Sequence, residues 1–148
     1  MYHLGILLPL LAAVLDAGCA SQQRCPAVAK SLAEETTFST LTGTVGCVMP
    51  AADAFLVLYQ AGDVEGLRML ARTGSAGAQL YALCGFKHLH ADADERPLRA
   101  KILASHPETL SVFDAQCDYL LENGTKSFRQ ACNTETARPT CAALRPGN

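Results

Sequence analysis

Apolar side chains recur at every third or fourth position along the middle of the chain, which is the spacing of one face of a helix. The first such stripe begins after Pro50 and ends at Gly62, a residue type that stops helices. The second begins after Asp63, which can cap a helix, and ends at Gly74. The third follows Ser75, another capping residue type. The pattern therefore predicts three consecutive helices, at residues 50–61, 64–73 and 76–89.

Two further helices are predicted on either side of this region. Pro26 opens the first, at residues 26–35, because a proline at the first helical position loses no hydrogen bond. The other has Pro97 in its first turn and ends near Ser105, ahead of the helix-breaking Pro107.

Two segments alternate apolar and polar residues, as a short strand does. One lies within residues 36–49 and contains Cys47, and the other covers residues 113–119 and contains Cys117. The remaining stretches are expected to form a turn at Asn123-Gly124, one or two helical turns at 126–132 and an irregular tail from Asn133 onward. The predicted fold class is a mainly α, single-domain helical bundle with a short two-stranded β element, braced by disulfides.

Residues 64–89 have the sequence VEGLRMLARTGSAGAQLYALCGFKHL, with Leu-x-x-Leu-Ala in the first half and Ala-x-Leu-Tyr-Ala-Leu in the second. This segment resembles one helical pair of the HEAT-like type. Its short connection requires the two helices to lie antiparallel. Several small residues in the second helix would let neighbouring backbones approach closely; they are Ala76, Gly77, Ala78, Ala82 and Gly85.

The N-terminal segment has the length of a signal-peptide core. Residues 4–15 carry no charge, and twelve residues are fewer than the about 20 that a membrane-spanning helix needs. The sequence Ala17-Gly18-Cys19 follows and resembles the lipobox of bacterial lipoproteins, although Asp16 stands where that family has leucine. The resemblance implies that Cys19 is acylated and becomes the first mature residue. The alternative is an ordinary secretory leader, cleaved for instance after Ala20.

The predicted organisation is a signal peptide at 1–18, a lipid-anchored tether at 19–24 and one helical domain with an irregular tail at 25–148. The expected location is the bacterial cell envelope, with the lipid in the membrane and the domain facing the periplasm or the cell exterior. The alternative leader predicts a soluble secreted or periplasmic protein.

Composition supports one globular domain and excludes a nucleic-acid ligand. The chain has 148 residues, of which 49% are hydrophobic and 18% charged. Its net charge of −2 offers no surplus of positive charge to neutralise phosphates.

Seven cysteines are many for so short a chain, and an odd number suits a disulfide framework poorly. Assigning Cys19 to the lipid leaves six, which allow 15 pairings. The favoured pairings are Cys132–Cys141, Cys47–Cys117 and Cys25–Cys84, although Cys84 would be equally plausible as an unpaired buried thiol. No Cys-x-x-Cys spacing occurs, so neither a zinc site nor a redox-active pair is expected, and no cofactor is predicted.

One cluster offers metal-ligating side chains, namely His88, His90, Asp92 and Asp94. On a helix the two histidines would point about 200° apart and could not share an ion. The simpler interpretation is a cationic helix C-terminus followed by an acidic helix N-terminus, as the helix dipole favours.

The sequence contains no nucleophile elbow, papain-like cysteine motif or phosphate-binding loop. The predicted function is therefore a non-catalytic interaction or structural module of the envelope that binds an unknown envelope protein. One alternative is a small metal-binding protein or hydrolase that uses the cluster at 88–94. Another is a periplasmic protein that neutralises a toxin.

The lipobox resemblance makes a direct prediction. Cys19→Ser should move the protein from the membrane fraction to the soluble fraction, because the mature chain would lose its site for the lipid. Globomycin, which blocks cleavage of lipoprotein signals, should make the uncleaved precursor accumulate. Immunoblots of fractionated cells measure both effects, and unchanged processing and location would show an ordinary leader instead.

Overall fold

The computed structural model describes residues 23–42, 47–48, 50–124 and 141. Over these residues the chain forms six helices and two short strands, which confirms a mainly helical small domain. In chain order the elements are α1 (Pro26–Leu32), β1 (Leu41–Thr42), β2 (Cys47–Val48), α2 (Pro50–Ala61), α3 (Val64–Thr73), α4 (Ala76–His88), α5 (Asp92–Ser105) and α6 (Pro107–Gly124). No helix in the described ranges is long and apolar enough to cross a membrane.

The first four helices begin and end close to where the sequence predicts. Gly62 ends α2 with a φ of 63°, a conformation that glycine adopts without strain. Asp63 caps α3, since its side chain accepts a hydrogen bond from the Gly66 amide. Ser75 occupies the position before α4 but does not cap it with its side chain. Its hydroxyl donates to the Glu35 carbonyl, and that carbonyl also accepts from the Ala78 amide in the first turn of α4.

The predicted strand at 113–119 is wrong, because these residues lie in the middle of α6. The buried residues of α6 repeat with the period of a helix over a longer stretch; they are Leu110, Phe113, Cys117, Leu120, Leu121 and Gly124. Seven alternating residues matched the period of a strand only locally. β2 instead pairs antiparallel with β1, in a register that sets Leu41 opposite Val48.

Two other boundaries differ from the prediction. α5 begins at Asp92, five residues before Pro97, so the proline lies inside the helix rather than in its first turn. Asn123 and Gly124 are the last residues of α6 rather than a separate turn. The segments at 126–132 and from Asn133 lie outside the described residues, apart from Cys141.

The core centres on an aromatic cluster between α2, α4, α6 and the segment after α1. Phe38 contacts both Tyr81 and Phe113, and Phe55 contacts Tyr81. The Tyr81 hydroxyl donates to the Ser39 carbonyl at 2.7 Å, which satisfies the polar end of a fully buried ring. Burial raises the pKa of Tyr81 to about 12, against the lowering effect of the Ser39 backbone hydrogen bond. The hydroxyl therefore stays protonated and holds the chain after α1 against α4.

Asp63 is the one charged side chain that is fully buried among the described residues. Its Oδ2 accepts from the Cys25 amide at 2.7 Å, and its Oδ1 accepts from the Gly66 amide at 2.9 Å. Arg24 lies 3.2 Å from the same Oδ1. The Gln23 amide also donates to the Ala61 carbonyl. The last two residues of the predicted tether are thus bound to the fold rather than free of it.

The disulfides correct all three favoured pairings. Cys25 is bonded to Cys141, and Cys84 is bonded to Cys117. Cys84 meets Cys117 because α6 is a helix that packs its buried face against α4, with the two Cα atoms 5.6 Å apart. Two other cysteines were predicted to form disulfides. Cys47 lies in β2, and Cys132 falls outside the described residues.

The Cys25–Cys141 bond joins residues 116 positions apart and so links the start of α1 to Cys141. On the chain-entropy estimate, closing a loop of that length stabilises the fold by about 5 kcal/mol. The short Cys132–Cys141 loop would have contributed only about 2–3 kcal/mol by the same estimate.

The expected close approach of a neighbouring backbone to α4 is confirmed at Gly77. A Cβ added to Gly77 would lie 2.4 Å from the Thr37 amide nitrogen and 2.6 Å from the Glu35 carbonyl oxygen. A Cβ at Gly85 would instead meet the methyl groups of Leu67, the nearest at 2.5 Å. The first obstacle is backbone, whereas the second is the end of a flexible side chain.

We expect Gly77→Ala to destabilise the protein by about 1–3 kcal/mol, because the fixed backbone at 35–37 cannot yield to the new methyl group. Gly85→Ala is the matched control, since the same change on the same helix meets only a leucine side chain that can change rotamer. Urea denaturation followed by circular dichroism measures both. Equal losses in the two variants would contradict the close backbone packing.

Candidate functional site

The side chains that the sequence singles out as possible metal ligands do not converge. His88 points to α6, where its Nε2 lies 2.9 Å from Oδ1 of Asp118. Asp94 instead makes a two-pronged ion pair with Arg68 of α3, with nitrogen–oxygen distances of 3.0 and 2.8 Å. His90 is exposed between α4 and α5, with a φ of 55°. Asp92 is exposed at the start of α5. The predicted lipidation site, Cys19, lies outside the described residues.

The sequence reasoning missed a cluster of ion pairs on α4, α5 and α6. In this ion-pair cluster, Lys87 of α4 lies 2.9 Å from Oδ1 of Asp118 and 3.5 Å from Oδ1 of Asp114. Arg99 of α5 binds both oxygens of Asp114 through its two terminal nitrogens, at 3.0 and 2.9 Å. Arg99 also donates from its Nε to Oε1 of Glu95, one turn earlier on the same helix. The cluster fastens α6 to the two helices that precede it.

These contacts change the pKa of each partner in the direction that favours charge. The hydrogen bond from Arg99 lowers the pKa of Asp114, and the hydrogen bond from Lys87 lowers the pKa of Asp118, in each case against partial burial. Burial lowers the pKa of Lys87, but the hydrogen bonds and charges of Asp118 and Asp114 outweigh it and raise that pKa. All three groups are charged at neutral pH.

A helical interpretation of residues 113–119 would have revealed this cluster. Asp114 and Asp118 are four residues apart and so lie on one face of α6, whereas a strand would have presented them together with Gln116. The same interpretation would have separated the buried Cys117 from its exposed neighbours.

The outward side of α6 carries a second apolar stripe, which we call the α6 ridge and define as Val112, Ala115 and Tyr119. These residues follow the i, i+3, i+7 spacing of one helix face and are all exposed, with Val112 57% and Tyr119 47% accessible. The only other large apolar side chain that is exposed in the described ranges is Leu103 of α5. α6 is therefore apolar on two opposite sides, of which one is packed in the core.

A cleft of about 430 Å³ opens between the start of α4 and the α5–α6 connection. Its polar side chains include Gln79, Lys101 and His106, and no carboxylate or thiol is among the described residues that line it. The Ser105 hydroxyl at its edge donates to the Lys101 carbonyl. This lining does not pair a nucleophile with a positioned base and acid, as hydrolysis by side chains requires.

Comparison with known proteins adds no functional information: no family model, curated protein or solved structure matches this chain.

The lowered pKa of Asp114 makes the stability of the protein depend on acidity. A carboxylate with a lowered folded-state pKa contributes stability above its unfolded pKa of about 4, and this contribution is lost as the pH falls through the folded value. We expect Asp114→Asn to lower the free energy of unfolding at pH 7 by about 0.5–1 kcal/mol, because the pair is partly exposed. The difference from the wild type should disappear in strong acid.

Urea midpoints measured from pH 7 downward test this expectation. Glu34→Gln is the control, since it neutralises an exposed carboxylate after α1, away from the ion-pair cluster. A difference between Asp114→Asn and the wild type that stays constant to the lowest pH would show that charge is not its cause.

Proposed function

We propose that this chain is a protein-interaction module of the bacterial cell envelope, held at the membrane by a lipid on Cys19. The lipobox-like sequence at residues 17–19 supports the location. Two disulfides among the described residues fit an oxidising compartment such as the periplasm.

The α6 ridge is the observation that carries the interaction role. A helix that has already buried one apolar face gains nothing for its own fold by exposing a second, and an apolar stripe along one exposed helix face offers a surface that a protein partner can cover. Val112 and Tyr119 lie two turns apart and present a branched side chain and an aromatic ring to solvent. Aromatic residues, tyrosine in particular, supply much of the binding energy in protein interfaces.

The charges beside the ridge indicate the chemistry of the partner. Glu108 and Glu122 are exposed on the same outward side, one at each end of the ridge. A partner that covers the ridge would match it best with an apolar groove whose two ends carry lysine or arginine. The α6 ridge would enter such a groove as a single helix, a recurring mode of protein recognition.

The alternative of a metal-binding protein or hydrolase based on residues 88–94 has less support. It requires His88, His90, Asp92 and Asp94 to act on one ion or substrate, whereas His88 is bound to Asp118 and Asp94 to Arg68.

Site-specific photocrosslinking in living cells tests the proposed surface. A photoreactive amino acid at position 112 or 119 should give the same adduct from both positions, because both face the partner. The exposed Lys30 of α1 is the control position and should give no such adduct. An identical adduct from position 30, or none from the ridge, would contradict the proposal.

The isolated complex then allows a quantitative test. Tyr119→Ser should weaken binding by about thirtyfold, which corresponds to the loss of a dominant interface residue. Tyr119→Phe should bind nearly as well as the wild type, because the ring rather than the hydroxyl fills the groove. Equal affinity of Tyr119→Ser and the wild type would place the contact elsewhere.

A further inference from the structure

One group of side chains in the described ranges brings three possible metal ligands together. A ring nitrogen of His88, the sulfur of Cys117 and a carboxylate oxygen of Asp118 all lie within 4.8 Å of one another. Cys84 is not one of these three, but its sulfur is bonded to that of Cys117 and therefore lies beside them. We call these four residues the α4–α6 ligand set.

The helices impose this arrangement. Cys84 and His88 are four residues apart on α4 and therefore project from one face, one turn above the other. Cys117 and Asp118 are adjacent residues of α6, in the turn that the disulfide joins to α4. Two residues from each helix thus meet at one point of the helix interface.

We propose that the sulfurs of Cys84 and Cys117 either form their disulfide or bind one zinc-class divalent ion, and that reduction of the disulfide creates the metal site. The ligands would be the two sulfurs, the His88 imidazole and the Asp118 carboxylate. Two sulfurs with one nitrogen and one oxygen are donors that zinc accepts in a tetrahedral site. Thiolate and imidazole donors also disfavour calcium and magnesium, which prefer oxygen.

The exchange balances in electrons and protons. A dithiol reductant transfers two electrons and two protons to the disulfide, becomes a disulfide itself and leaves Cys84 and Cys117 as two thiols. Zinc then binds the thiolates, and the two thiol protons are released to solvent. The ion itself is neither oxidised nor reduced.

The distances among the His88 nitrogen, the Asp118 oxygen and the Cys117 sulfur require only small movements. Zinc–sulfur bonds of about 2.3 Å in a tetrahedron place the two sulfurs about 3.8 Å apart, and bonds to nitrogen and oxygen are about 2.0–2.2 Å. The nitrogen, the oxygen and the Cys117 sulfur now lie within 4.8 Å of one another, and a tetrahedral site would hold sulfur about 3.6 Å from nitrogen or oxygen, so they need to approach by about 1.3 Å at most. The two sulfurs must separate, which breaking the disulfide permits.

Burial and charge also fit an ion that enters from solvent. Both sulfurs are fully buried, whereas His88 is 28% and Asp118 55% exposed, so the ligand set opens at its imidazole and carboxylate side. Lys87 now shares the Asp118 oxygen with His88, but Asp114 lies 3.5 Å from Lys87 Nζ and can take over that ammonium. The metal would thus displace the Lys87 ammonium from Asp118, and Lys87 would keep Asp114 as its partner.

Cobalt absorption tests the proposal on the full mature chain, because tetrahedral cobalt bound by thiolates gives intense visible bands and a sulfur charge-transfer band. After reduction by a phosphine in native buffer, the wild type should bind one Co²⁺ with these bands, and Zn²⁺ should bleach them. The oxidised protein should show neither band. His88→Ala should weaken binding by about tenfold or more, as losses of metal-site residues do.

Two variants show whether the bands come from this point rather than from the other cysteines. His90→Ala removes an exposed histidine two residues from His88 and should behave as the wild type. Cys84→Ala with Cys117→Ala keeps every other cysteine and should give no tetrahedral bands. If reduction alone lowers the helical circular dichroism, Zn²⁺ should restore it in the wild type but not in His88→Ala.

The proposal would be overturned by a reduced wild type that gives no sulfur charge-transfer band. It would also be overturned by equal Co²⁺ affinity of the wild type and His88→Ala, or by equal recovery of helicity in the two at limiting Zn²⁺. Either result would mean that the ligand set does not hold the ion.

Discussion

The buried carboxylate of Asp63 is the contact on which the first half of the fold depends. It binds the amide of Cys25 before α1, the amide of Gly66 in the first turn of α3, and the side chain of Arg24. A buried charge is tolerated only when such partners replace its lost hydration. Asp63 lies in the connection between α2 and α3, so it holds the residues before α1 against that connection. The Cys25–Cys141 bond attaches Cys141 at the same point.

The other half of the fold depends on α6, each face of which makes different contacts. Its buried face closes the core through Phe113 and is bonded to α4 through Cys117. Asp114 and Asp118 on its flank hold Arg99 and Lys87. Its outward side presents the α6 ridge to solvent. The proposed partner surface thus lies on α6, which also supplies two of the four proposed metal ligands, and the core packing of α6 positions both.

Predictions that depend on a few neighbouring residues were accurate, whereas predictions that depend on contacts between distant parts of the chain were not. Helices α1 to α4 were predicted well because Pro26, Gly62, Asp63 and Gly74 mark their ends through their own backbone chemistry. The strand predicted at 113–119 failed because seven residues are too few to separate a period of two from the longer helical repeat of α6. That single error also hid the ion-pair cluster and the α6 ridge, since both become visible only on a helix.

The sequence alone determined the helical class of the fold, the ends of its first helices and the small residues that let α4 approach its neighbours, because each follows from local backbone preferences. It also supplied the lipobox-like residues 17–19, whose role in a leader remains a prediction. Only the tertiary structure decided the partners of Cys25, Cys84, Cys117 and Cys141, and the meeting of His88 with Asp118. Those contacts join residues 30 or more positions apart, and spacing along a chain does not specify which helix faces will pack together.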